Sequence, residues 1–457
     1  MNKRRRALAV LTTVAIGVGW VGASSSGAAP SPLGRDRDPV VVSGADVPNL
    51  VGVRPAGLVA FRYDGGWQQV PVQVDERAPV DLATIYRQPP NGVVRTVYTD
   101  PNTWTGPDPD PSIDADDEIV VMAKDAGTIA PVGLPSGTLG KRTRLTVTDP
   151  IGGASGYVYL FSGDGTLRQD AGRPYVSYTF GLLAGSYKTA YDVMRGPNPE
   201  NSTVDTAAYT RHFADRWVDD VLQDKLGTGT DILDRHKFSF KPGDCFRTED
   251  KFSGAEGAFV ANISGPVRAI RSYMGAVSGP FTQREHVYYE RRQDVRTYLR
   301  VHDISGAVDF YDYSPAASGM TYRNNNDVAG VTVNGVRDSV TAGPLTWESV
   351  TGAQGSVTFV HSTVTNITGI TPTSYYLDTT SPSGKAETQC TGDRFAYASS
   401  GPWVNQPIPS TDPVKGSTKV YTGYRTLYYD PPGVTAAQSA ARVRDATEPL
   451  TVVGVAE

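Results

Sequence analysis

A chain of 457 residues with 43 Lys and Arg against 48 Asp and Glu has a formal net charge of −5. Its basic residues are scattered, which excludes the concentrated positive face that nucleic-acid and anionic-membrane binding require. With 48 Gly and 33 Pro spread throughout and short Val, Tyr, Thr and Phe runs between them, the chain reads as strands joined by turns.

At the N-terminus, Lys3, Arg4, Arg5 and Arg6 precede an apolar run over 7–21 and a small-residue stretch over 22–29. This pattern predicts a signal peptide over 1–29, cleaved after Ala23, Ala28 or Ala29, and hence a secreted, extracellular protein. Without that leader, 39 basic residues face 48 acidic ones, a net charge near −9. No later segment reaches the run of about 20 apolar residues that a membrane-spanning helix needs. In an oxidising exterior Cys245 and Cys390, the two cysteines present, are expected to pair. A loop of that length restricts the unfolded chain by about 4 to 5 kcal/mol in the chain-entropy picture.

In chain order, the first strands are two alternating arms over 58–76 that flank Asp64, Gly65 and Gly66, residues suited to a hairpin turn. Trp67 and Pro71 suggest an edge position for the second arm. Strands follow at 118–126, 142–149, 157–163 and 175–183. Over 205–227 the one-turn spacing of Phe213, Trp217 and Val221, with Gly227 as a stop, predicts a helix, although Trp217 and Val218 before a polar pair also suit a strand. Further strands are expected at 237–243, 258–263, 267–276, 284–291, 295–302, 328–336, 356–364, 373–380, 419–430 and 450–455, with a second helix over 435–444. The fold class is therefore all-β: a large antiparallel β-sandwich, in one unit or two packed β domains, with one or two short helices. A soft boundary at 163–174 separates an N-terminal β domain (30–165) from a larger β-sandwich domain (166–457).

The densest acidic segment places Asp108, Asp110, Asp114, Asp116, Asp117 and Glu118 just before an apolar strand. Hard oxygen ligands at short spacing suit calcium, and Asp108, Asp110, Asp114 and Asp116 are its candidate ligands in a structural role. The EF-hand glycine and distant Glu are missing, and Pro107, Pro109 and Pro111 hold the segment extended, so a solvated acidic loop is the alternative reading.

The run 284–302 reads as paired strands. Val295, Thr297, Leu299 and Val301 point one way, and Arg296, Tyr298, Arg300 and His302 the other. A three-residue loop over 292–294 would set Glu290 opposite Arg296, Tyr288 opposite Tyr298, His286 opposite Arg300 and Arg284 opposite His302. That surface suits an acidic glycan, because Arg pairs with a uronate and eases removal of its α-proton. Tyr298 or Tyr288 would then act as acid or base, His302 or His286 as the partner, and Arg300 or Arg296 as charge neutraliser. A water-facing sheet decorated with cross-strand pairs would look the same.

Asp309 with Asp312, or Asp219 with Asp220, could supply two glycosidase carboxylates, but sequence neighbours rarely stand across a cleft. His212, His236 and His361 lack metal-type partners at short spacing and read as structural residues; zinc is not indicated. No Gly-x-Ser-x-Gly elbow, phosphate loop or dinucleotide fingerprint is present. The 24 Tyr suit sugar-stacking and protein-binding surfaces alike. Asn201, Asn262 and Asn366 begin glycosylation-type triplets. Together these features point to a secreted carbohydrate-active protein, a polysaccharide lyase or hydrolase acting on extracellular polysaccharide or cell-wall glycan. The competing readings are a non-catalytic, calcium-stabilised module that binds glycan, wall or protein, and a structural envelope protein.

Overall fold

The computed structural model describes residues 29–457 apart from 242, 385, 386 and 388, so the leader expected over 1–29 falls almost wholly outside them. The chain forms antiparallel sheets with four short α-helices among the described residues, and the all-β reading holds. None of those helices is long and apolar enough to cross a membrane.

Near the N-terminus, strands Pro39–Ser43, Glu118–Met122 and Gln73–Asp75 form a three-stranded sheet. It faces a five-stranded sheet ordered Thr451–Ala456, Thr143–Thr148, Ser155–Ser162, Leu58–Tyr63 and Trp67–Val70. Alternation in each strand sends Val40, Val42, Ile119 and Val121 inward to meet Ala60, Leu145, Val158 and Leu160 in one buried cluster. The first hairpin turns at Asp64 to Gly66 with Gly65 at φ 73°, and its second arm is the sheet edge that Trp67 and Pro71 suggested. The last strand of the chain crosses the boundary drawn at 163–174, pairing Thr451 with Thr148 and Ala456 with Thr143.

The rest of the chain is organised by a nine-stranded sheet ordered Ala258–Ser264, Ala269–Ala276, Gly279–Tyr288, Arg292–Leu299, Tyr421–Asp430, Gly355–Thr365, Trp347–Gly352, Thr321–Asn324 and Asp327–Thr332. Two four-stranded sheets oppose its inner face. One contains Val176–Thr179, Ser202–Thr206, Tyr209–Asp215 and Val218–Asp224; the other is ordered Leu233–Ser239, Ala307–Tyr313, Ala396–Val404 and Thr373–Thr379. Tyr209, Phe213, Leu222, Tyr311 and Tyr313 pack there against Tyr288, Val295, Phe359 and Tyr429. On the outer face, Ile270, Val287 and Tyr289 join Tyr98, Val120 and Met122 of the N-terminal unit. Arg271 ties the layers together: fully buried, it donates to both oxygens of buried Glu200 at 2.8 and 2.6 Å and lies 4.0 Å from the Phe213 ring.

The helix expected over 205–227 is instead a β-hairpin, Tyr209–Asp215 turning at Arg216 and Trp217 into Val218–Asp224. The inward residues Tyr209, Arg211, Phe213 and Asp215 alternate, but two of them are charged, which hid the period of two. Arg211 is buried because it pairs with Asp219 on the neighbouring strand. The C-terminal helix is present as Ala436–Thr447, capped by the Thr435 hydroxyl, which accepts from the Gln438 N–H. The disulfide Cys245–Cys390 forms, with Cα atoms 5.3 Å apart, and joins segments flanking two strands that both border Ala307–Tyr313.

Candidate functional site

The six residues proposed from the 284–302 run do not meet. Tyr289 N–H donates to Arg292 O at 2.8 Å, which closes a two-residue turn at Glu290 and Arg291 in place of the expected three-residue loop. His286 therefore lies opposite Val295 rather than Arg300, and Glu285 opposite Arg296, a displacement of five positions. Because side chains alternate with a period of two, an odd displacement moves one strand's set to the other face. His286 and Tyr288 are buried on the inner face, where the His286 ring nitrogens lie 3.1 Å from Tyr273 OH and 3.0 Å from Gln293 Nε2. Burial, reinforced by Arg284, holds His286 well below the usual imidazole range. Arg296, Tyr298 and Arg300 occupy the outer face, half-buried. Arg296 contacts Glu285 at 3.1 Å and Arg300 contacts Gln283 at 3.1 Å, while burial and then Glu285 push Tyr298 up to about 12. His302 stands beyond the strand end, against the Asp303 carbonyl.

Of the four proposed calcium ligands, Asp108 is drawn into a cluster with Glu76 and Asp117, one carboxylate oxygen from each lying within 4.8 Å of the others. Asp110, Asp114 and Asp116 mainly shape the loop: Asp108 accepts from Asp110 N–H at 2.7 Å, Asp110 from Ser112 N–H at 3.0 Å, and Asp114 from Asp116 N–H at 3.1 Å. Both Glu76 carboxylate oxygens and Asp108 Oδ2 are buried without a hydrogen-bond partner. Burial, then Asp117 and Asp108, push Glu76 up to about 7, and burial lifts Asp117 to about 6. Glu76 was invisible to the motif because it belongs to a different segment, just after Gln73–Asp75.

A different set of side chains converges between the nine-stranded sheet and the sheet containing Ala307–Tyr313. A cleft of about 470 Å³ opens there, a volume in the range of small-ligand sites. On the side facing the nine-stranded sheet, Asp309 Oδ1 lies 2.6 Å from His236 Nε2, and Oδ2 accepts from Arg284 Nη2 at 3.0 Å. Arg425 Nη1 sits 2.9 Å from His236 Nε2 and 3.4 Å from Asp309 Oδ1. Burial opposes ionisation of Asp309, but Arg284, Arg425 and His236 overcome it and hold the carboxyl well below its usual range. His236 stacks on Tyr311 at 4.4 Å, and burial, opposed by Asp309, leaves it below its ordinary value.

Beside this clamp, His361 is the cross-strand neighbour of Arg425 and also lines the cleft. Its Nε2 lies 3.0 Å from Glu348 Oε1, and Glu348 Oε2 accepts from Tyr322 OH at 3.0 Å. Glu348 is 2 % exposed, so its charge is little screened. Burial lowers His361 below its ordinary value against the pull of Glu348, which keeps the ring neutral at pH 7. Neutral imidazole donating Nε2–H to the carboxylate carries its lone pair on Nδ1, the arrangement of a positioned proton acceptor.

The two acidic pairs weighed from sequence separate in space. Asp219 is buried against Arg211, whereas Asp220 lies 2.6 Å from His212 Nδ1. Asp312 pairs with Lys237 behind the sheet, while Asp309 faces the cleft.

No family model matches the chain, and no curated protein matches it. Two similar solved structures are an alpha-mannosidase from Enterococcus faecalis V583, 9% identical over 93% of this chain and 45% of that one with a TM-score of 0.43, and a putative aldose 1-epimerase from Escherichia coli K12, 9% identical over 56% of this chain and 99% of that one with a TM-score of 0.28. The chain thus spans less than half the length of the mannosidase. Likeness at this level bears on neither activity nor substrate.

Proposed function

We propose that this is a secreted carbohydrate-active protein that receives an extracellular glycan in the cleft between the sheets and moves a proton there through His361. The observation that carries this reading is the His361–Glu348 pair opening onto a walled cleft beside an ionised Asp309. Hydroxyl-bearing Thr297, Thr346 and Thr363 and the apolar Leu345, Ile370 and Val404 line the same space, a mixture suited to the polar rims and apolar faces of sugar rings. In this scheme His361 takes a proton from water or from the sugar, and the Asp309 carboxylate faces positive charge that develops on the ring.

The test is incubation of the purified protein with neutral and uronate-containing polysaccharides, following reducing ends for hydrolysis and 235 nm absorbance for elimination. Activity that falls by about 10²–10⁴ in His361→Ala, the usual weight of a general acid or base, supports the reading. Binding without turnover would make the protein a non-catalytic module, and neither binding nor turnover would remove the proposal.

A second proposal concerns the acidic loop: Glu76, Asp108 and Asp117 take a calcium ion in a structural role, supported by the unpartnered oxygens of Glu76 and Asp108. Titration calorimetry with calcium, before and after Glu76→Gln, tests it; absence of a binding heat in the unaltered protein would end it.

A further inference from the structure

The floor of the cleft has a pattern that bears on what the site accepts. On three adjacent strands the inward residues line up in rows across the sheet: Val295, Arg425 and His361 in one, Thr297, Gly423 and Thr363 in the next, Leu299, Tyr421 and Thr365 in the third. The middle row is the lowest, two threonines flanking a glycine. At about 3.4 Å per residue the outer rows stand about 14 Å apart along the strands. Glycine is unfavourable within a strand and often marks a place where something approaches the backbone closely. At Gly423 the space is open: an added Cβ would find nothing nearer than the Tyr421 ring, at 4.0 Å. The backbone there is outside the left-handed region, so nothing in its own conformation demands glycine.

The charges beside this trough are already committed. Two carboxylates balance the two guanidinium groups: Asp309 engages both Arg284 and Arg425, the buried Glu348 also acts on Arg425, and His361 is held neutral against Glu348. An arriving uronate or sulfate would meet no unpaired cation among the described residues lining the cleft, and would face the Asp309 carboxylate. Resting on the reading of this cleft as the glycan site, we infer that the trough over Gly423 seats an uncharged pyranosyl unit, with the Thr297–Gly423–Thr363 row beneath the ring and Gly423 as the residue that makes room for it. A neutral unit lacks the carboxylate that acidifies an α C–H, so the reaction this seat serves is hydrolysis rather than elimination.

Calorimetric titration of the full chain with cellohexaose, mannohexaose and xylohexaose on one side and hexagalacturonate on the other tests the inference, together with Gly423→Phe and, from the neighbouring strand, Thr363→Tyr. At least one neutral hexasaccharide is expected to bind ten-fold or more tighter than hexagalacturonate. Each bulky variant should lose that binding by 100-fold or more with unaltered circular dichroism. Tighter binding of hexagalacturonate would overturn the neutral seat and leave the glycan site standing. Undiminished binding by both folded bulky variants would place the ligand elsewhere, and silence from both ligand sets at millimolar concentration would overturn the glycan reading along with the seat.

Discussion

The His361–Glu348 pair can be tested without knowing any substrate. Glu348→Gln removes a carboxylate 3.0 Å from His361 Nε2 while leaving an amide oxygen for the Tyr322 hydroxyl. A charge-assisted hydrogen bond at a buried site is worth about 1.5–3 kcal/mol. At 1.36 kcal/mol per pKa unit, its loss should move the His361 titration down by about 1 to 2 units. The sign follows from the carboxylate, which favours the imidazolium and opposes the burial that already lowers this residue. With five His in the chain, nitrogen-15 NMR of the imidazoles can follow each one through a pH titration. In the unaltered protein the ring should carry its proton on Nε2 at pH 7. In the variant the glutamine NH₂ faces Nε2 and should drive the proton to Nδ1. A proton on Nδ1 in the unaltered protein would leave no lone pair on that nitrogen, and an unchanged or upward titration in the variant would show that Glu348 does not favour the imidazolium; either result would refute the reasoning.

Other consequences are open to measurement. Arg271→Met should cost about 3–5 kcal/mol in denaturant unfolding, since it strands the buried Glu200 charge, whereas Arg271→Met with Glu200→Leu should recover part of the loss; strictly additive effects would show that the pair is not coupled. Cys245→Ser with Cys390→Ser should lower stability by about 4 to 5 kcal/mol, and a midpoint equal to that of the oxidised protein would discount the cross-link. Glu76, raised to about 7, and Asp117, raised to about 6, bind protons more strongly folded than unfolded, so their contribution is present at low pH and lost as pH climbs through 6 to 7. With chelator present, the melting temperature of the unaltered protein should therefore fall relative to Glu76→Gln between pH 5 and 7.5, and millimolar calcium should close the gap; parallel profiles would show that Glu76 is not the titrating group.

Most strands were legible because their alternation and their glycine and proline punctuation are local properties. The first hairpin carried its turn in Asp64, Gly65 and Gly66, and Thr435 marked the start of the last helix. What failed depended on information outside the segment. The turn at Glu290 and Arg291 contains no glycine, asparagine or aspartate, so nothing local announced it, and the register drawn around it put inner and outer residues on one surface. The Tyr209–Asp215 strand hid its alternation because Arg211 is inward-facing and satisfied by a residue on the next strand. His361 read as an isolated histidine although Glu348 is only 13 residues away, because the contact requires two strands to pair. The Asp309–His236 contact spans 73 positions and that of Arg425 with His236 spans 189, separations at which residue spacing carries no signal. Gly423 could have been noticed as a glycine amid the strand 419–430, but its neighbours Thr297 and Thr363 become adjacent only in the sheet.

The strand Thr451–Ala456 gives the N-terminal unit an unusual place in the timing of synthesis. Its partner Thr148 lies 303 residues upstream of Thr451. At a synthesis rate of about 5–20 residues per second, strand Thr143–Thr148 waits on the order of 15 to 60 s with one side unpaired. During that interval it is an open edge of the kind that recruits stray strands from other chains. The five-stranded sheet is thus finished last although most of it is made first, and a ribosome stalled late in the message would leave a nascent chain whose earliest layer is still adhesive.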